Sequence, residues 1–204
     1  MLSKAEIFNL TLGALLLTKT IIDPDTDTSS ECRVLNVHFP TAFNMVLQDL
    51  DLDATAQFQP LELIATRPNT LWFYAYKFPV NCAFFRRIQS CVRKDRRSTK
   101  IDSGTGRLNG QKVIFTNEDS AIAEIVPNDV TVDQLSYPAG LAIAYRLAML
   151  SAPLISGKGA GPLRKAILEG YVLAKMEAQQ LDRLENSNFD TDEEMSEFVE
   201  ARLS

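Results

Sequence analysis

Histidine occurs once in this chain, at His38, and cysteine only at Cys32, Cys82 and Cys91. An odd number of cysteines with no C-x-x-C pair argues against a disulfide framework and against a zinc site. Free, partly buried thiols in a reducing compartment are the expectation. His38 has no Cys, His or carboxylate cluster beside it in sequence, so it reads as a helix-surface or satisfied core residue and not as a ligand. Hydrolytic and transfer enzymes need an activated nucleophile, a metal or a poised acid–base pair. None of these is visible, so no catalytic residue, metal or other cofactor is expected. Carboxylates paired only in space are the one enzymatic alternative. SGKGAG (Ser156–Gly161) lacks the GxxxxGK[ST] spacing and follows a helix, so it reads as a flexible joint and not as a phosphate-binding loop. Asp23, Asp25 and Asp27 have the spacing of a calcium loop but not its Gly at position six or its Glu at position twelve. Turn and cap chemistry accounts for them better. Met1–Thr18 does not read as a signal peptide, since Lys4 alone precedes its apolar part and polar residues recur at helical spacing.

What is present suits a globular chain. The 204 residues are 46% hydrophobic and 23% charged, enough for one core, or one core with a subdomain. The net charge of −5 is localised. From Asn186 onward there are six acids and one base, so residues 1–185 carry equal numbers of each.

Tyr137–Ser156 predicts a central buried helix. Pro138 suits its first position. Leu141, Tyr145, Ala148 and Ala152 form one stripe of the 3.6-residue period. Its many alanines let neighbouring backbones come close on more than one side. Arg146 and Pro153 interrupt it too much to span a bilayer. Ahead of it, Ser3 with Glu6 fits a capping box opening a helix to Leu17. Ile21–Ile22 is either a packing contact or an edge strand. A second helix is expected over about 29–50, with Pro40 as a kink or a new start. Residues 51–85 change character: Gln57–Leu63 alternates weakly, and the aromatic run WFYAYKFPVNCAFF (Trp72–Phe85) reads as extended segments that pack as core, with base stacking beside the basic run as the alternative. DSGTGRLNG (Asp102–Gly110) reads as loop. Leu108–Thr116 and Ala121–Val126 read as two strands, with Asn109–Gly110 as a turn. After the joint, Pro162 opens a last helix to about Glu185, whose buried stripe is Leu163, Ile167, Gly170, Ala174, Ala178 and Leu181.

The expected fold is therefore α+β, mainly α. A bundle of three to four helices (1–50 and 135–185) carries a small antiparallel β insert (about 57–127), and an acidic tail (186–204) follows. Leu141, Tyr145, Ala148, Ala152, Ile167 and Tyr171 are the candidates for core or subunit packing. In the tail, Phe189, Met195, Phe198, Val199 and Leu203 recur among acids, a composition that suits a segment ordering on a partner. Between Arg86 and Lys100 the chain is most basic: Arg86, Arg87, Arg93, Lys94, Arg96, Arg97 and Lys100 stand against Asp95 alone.

Several stretches, taken in order, resemble one family. They are SKAEIFNLTLGAL (Ser3–Leu15); Cys32, Phe39–Pro40 and Val46–Leu47; WFYAYKFPVNC (Trp72–Cys82); NGQKVIFTN (Asn109–Asn117); AYRLAMLSAPLI (Ala144–Ile155); and the last amphipathic helix. The family is the head-to-tail adaptor, or connector, proteins of tailed phages, notably the tail tubular protein A family of short-tailed phages.

The resemblance implies a structural virion protein assembled in the host cytoplasm. It implies a ring of about twelve copies. The ring would attach to the portal protein, extend the DNA channel and offer a platform to the tail nozzle or other tail components. Genomic DNA would pass through non-specifically, and no membrane is involved. By the same analogy the tail residues named above would dock on the portal. The basic segment then has three readings: a solvated loop, a contact with an acidic partner ring, or a surface facing DNA in the channel. A nucleic-acid-binding regulator using residues 86–100 is the alternative function, and would bind DNA with a steep salt dependence.

Overall fold

The computed structural model of the chain describes residues 2–90, 101–156 and 160–187. The fold is mixed α+β: four helices, about 48% of the residues, and two small antiparallel sheets of three and four strands. The chain divides into a helical unit, Met1–Ala54 with Thr131–Ser204, and a β unit, Thr55–Val130.

In the helical unit, α1 (Lys4–Ala14) begins with the predicted capping box. The Ser3 hydroxyl accepts from the Glu6 amide, and the Glu6 carboxylate accepts from the Ser3 amide at 2.7 Å. The helix ends earlier than its apolar pattern suggests, because Leu16 takes a left-handed conformation (φ 59°). Ile21 is the packing contact and not an edge strand. It is fully buried, and the Asn9 side chain clamps both its N–H and its C=O. In the loop beyond, Asp23 accepts from the Asp25 amide and the Thr26 hydroxyl, and Asp27 from the Ser29 amide. These carboxylates act as turn and cap acceptors. Helix α2 (Ser30–Leu50) runs through Pro40 without a break. Its Phe39 meets Phe8 of α1 edge to face, with centroids 5.7 Å apart.

Helix α3 (Tyr137–Ile155) is the centre of this unit, and α1, α2 and α4 (Ala160–Ser187) all pack on it. It is long and apolar enough to cross a membrane by length and composition, with mean hydropathy 1.4, yet half of that window is buried within the protein. Its alanines are what let three helices crowd it: Ala139, Ala142, Ala144, Ala148 and Ala152 are all buried. The Thr11 hydroxyl of α1 reaches the Ala144 carbonyl of α3 at 3.1 Å inside this core.

Gly170 of α4 lies against the Tyr145 ring of α3. A Cβ there would come within 2.5 Å of the ring. Helix propensity favours alanine over glycine by about 1 kcal/mol, while overpacking costs about 1–3 kcal/mol. Gly170→Ala should therefore lower stability. In a Tyr145→Ala background the same change should raise it. Chemical denaturation of the four proteins measures that reversal of sign.

In the β unit, β1 (Gln57–Pro60), β7 (Ala121–Val126) and β4 (Phe84–Ser90) form one sheet, in the order β1-β7-β4. The other sheet has the order β2-β3-β6-β5, from Leu63–Thr66, Tyr74–Lys77, Gln111–Thr116 and Ser103–Leu108. The sequence predicts one small sheet, and the unit has two. Part of the difference lies in β5, which was expected to be loop. Its glycines are covered by rings: Trp72 lies over Gly104 and Phe115 over Gly106, where a Cβ would approach to 2.8 Å. Glycine in a strand often marks such a close approach. The Asn109–Gly110 turn is where expected, with both residues at positive φ (50° and 81°) joining β5 to β6. Tyr76, Ile88, Ile114, Ala121, Ala123 and Ile125 make the core.

Candidate functional site

Helix α4 has two apolar faces. Of the predicted stripe, Ile167, Ala174 and Ala178 are buried on the inner one and Leu163, Gly170 and Leu181 half-buried, and Tyr171, outside that stripe, is buried with them. The outer one was not anticipated. Leu168, Val172 and Met176 stand at i, i+4 and i+8, with Val172 46% and Met176 61% exposed, and Leu173 and Leu184 are exposed beside them. A helix normally shows water its polar side, so a ridge of this kind is a candidate contact surface. The sequence does carry the signal: a second i, i+4, i+8 series about 140° around the helix from the buried one.

The flanks of α4 differ. On one side the Tyr171 hydroxyl and the Asp49 carboxylate of α2 are 2.7 Å apart, and the Gln179 amide donates to the Leu50 carbonyl. Burial, then the Asp49 hydrogen bond, push the Tyr171 hydroxyl well above the ordinary tyrosine range. The Arg146 guanidinium lies 5.6 Å from the Tyr171 ring. On the other side Ile167 packs with Leu15 of α1, in a cluster with Ala148 and Ala152.

Between α1 and α3 runs a groove of about 680 Å3. Leu10, Gly13 and Ala14 line it from α1, and Tyr137, Leu141 and Tyr145 from α3. Its lining is mainly apolar, and Glu6 and Asn9 also border it. A Cβ on Gly13 would meet nothing within 4 Å, so the groove is open there. The Ser3 amide, then the Ser3 hydroxyl, hold the Glu6 carboxyl below its usual range, so the groove carries a negative charge near neutral pH.

The packing candidates are distributed as follows: Ala148, Ala152, Ile167 and Tyr171 are buried, while Leu141 and Tyr145 are half-buried along the groove. Of the basic candidates, Arg86 and Arg87 turn to Glu124 on β7. Glu124 is buried, with 2% of its side chain exposed, and Arg87 grips it through two hydrogen bonds of 2.6 and 2.9 Å. Gln89 donates at 2.8 Å, and the Arg86 guanidinium is 3.6 Å away, its side chain 9% exposed. The sheet register slips between Phe85 and Arg87, so Arg86 is the extra residue of a bulge. That bulge re-aims Arg86 and lets both arginines reach one carboxylate. Burial raises the Glu124 pKa, but the Arg87 hydrogen bonds and charge, Gln89 and Arg86 outweigh it and hold the carboxyl below its usual range.

Arg93, Lys94, Arg96, Arg97 and Lys100 lie outside the described residues, as do Phe189, Met195, Phe198, Val199 and Leu203. Cys32 is buried, with its thiol donating to the Pro24 carbonyl, and Cys82 is half-buried. Burial raises both thiols. Among the described residues no group of three or more His, Cys, Asp or Glu is placed to hold a metal ion. No protein family model matches this chain, and no curated protein matches it in sequence.

Proposed function

We propose that the protein is a structural virion component, a head-to-tail adaptor whose copies form a ring on the portal, extend the DNA channel and present a platform to tail proteins. The observation that carries this reading is the outer face of α4, an apolar ridge on a helix whose opposite face is already packed. An exposed apolar ridge of this kind suits a surface that another subunit covers, as in a ring. The helical unit supplies the ring body. The β unit has its own exposed apolar group, Leu63, Ile64, Leu71 and Phe73, on and near edge strand β2, a surface suited to a neighbouring component. The binding of Arg86 and Arg87 to Glu124 favours this reading over a DNA-binding regulator, because it pairs two of the seven bases of the 86–100 segment with a buried carboxylate.

Negative-stain imaging of the protein with its portal ring tests the reading. The expected result is a second ring with a central hole stacked on the portal. Portal particles that stay bare at saturating protein overturn it. Removing residues 186–204, which hold the entire net charge, should leave the helical circular dichroism of the body in place and weaken attachment to the portal. Undiminished capture by portal in a pull-down would remove the tail from that role.

A further inference from the structure

We infer that the groove between α1 and α3 receives the outer ridge of α4 from a second copy of this chain, so that each subunit offers one ridge and one groove. The inference rests on the ring reading above and specifies its contact. Two surfaces of unlike shape are present on one helical unit: a convex apolar line, Leu168, Val172 and Met176, and a concave, mainly apolar slot of about 680 Å3. The slot has an open point at Gly13 and the small side chain of Ala14, where a helix can approach closely. Charge agrees with shape. Glu6 borders the slot. Lys165 and Arg183, both exposed, fall on the same line of α4 as Val172, at i−7 and i+11. Lys165 has only a loose, exposed pairing with Glu169, at 3.8 Å, which a buried neighbour can displace.

The placement of the two surfaces sets the symmetry. Contacts of Tyr171 and Gln179 put α2 along the flank of α4 from which the ridge rises, while Ile167 and Gly170 face α1 and Tyr145 on the other flank. A subunit's own ridge therefore does not enter its own groove. Ridge into groove joins unlike patches, a heterologous contact that makes a ring where the rotation from copy to copy closes.

Complementation of blocked variants tests this by sedimentation velocity on the full chain. Val172→Asp with Met176→Asp blocks the ridge, and Gly13→Trp blocks the groove. Gly13→Lys is a second groove variant that repels Lys165 and Arg183 and improves helix propensity. The substituted sites are exposed, so circular dichroism should match the wild type. Each variant alone should associate about tenfold or more weakly than wild type, as expected for central interface positions. Ridge-blocked and groove-blocked proteins mixed in equal amounts should form a one-to-one dimer and nothing larger, since one intact ridge and one intact groove remain. Variants that assemble like wild type overturn this contact while leaving the ring reading intact. A wild type that is monomeric at every concentration also overturns it, and the portal imaging then decides the ring reading separately.

Discussion

Replacing Glu124 with leucine should destabilise the β unit by about 3–5 kcal/mol, the usual cost of removing one partner from a buried ion pair. The carboxylate is the point on which Arg86, Arg87 and Gln89 converge, and Arg86 is itself nearly buried. Without Glu124, Arg86 loses that carboxylate in a poorly solvated place and keeps the Thr55 hydroxyl at 2.9 Å. Adding Arg86→Met should recover part of the loss, because a buried pair exchanged for apolar side chains is often close to neutral. The effect depends on pH in a direction that can be worked out. The folded pKa of Glu124 is lowered, so its contribution is complete above the unfolded value of about 4.3 and fades as pH falls through the folded value. Urea unfolding should show the full gap between wild type and variant at pH 7 and a narrower gap below about pH 4. A gap that does not change with pH would mean that the ionised form is not what stabilises the sheet.

Leu147→Ala should cost about 2–5 kcal/mol. Leu147 sits midway along α3 and is fully buried, on a helix whose other buried positions are mostly alanine. Most neighbours of α3 are thus already as close as they can come, and a lost leucine leaves a cavity that little can fill. Leu154, near the end of the same helix and 66% exposed, is the internal control. Leu154→Ala should fall within about 0.5 kcal/mol of wild type. Thermal unfolding of both, followed by the helical signal, checks the contrast.

Features governed by neighbours in sequence were legible from it. The Ser3–Glu6 box, the start of α3 beside Pro138 and the Asn109–Gly110 turn each depend on a few adjacent residues. The features that were missed depend on partners far along the chain. Strand β5 looked like loop because Gly104 and Gly106 are poor strand residues alone, and only the rings of Trp72 and Phe115 make them good ones. Arg86 and Arg87 looked like part of one basic segment because a bulge cannot be seen in composition, and Glu124 lies 37 positions beyond Arg87. The case of α4 is different. Both of its apolar lines were present in the sequence, but a buried face and a contact face obey the same periodicity. Burial in the fold is needed to tell Ile167 from Leu168.

The division of the chain has a consequence for its synthesis. The β unit is one uninterrupted stretch, Thr55–Val130, so it can close as soon as it leaves the ribosome. Helices α1 and α2 emerge before it, yet the helix they share as a floor begins at Tyr137 and emerges after it. Their greasy sides must wait while some eighty residues are translated, for about 4–16 s at common bacterial and eukaryotic speeds. A slow stretch of codons or a missing chaperone in that interval should therefore harm the yield of this protein more than the same defect placed after Ile155.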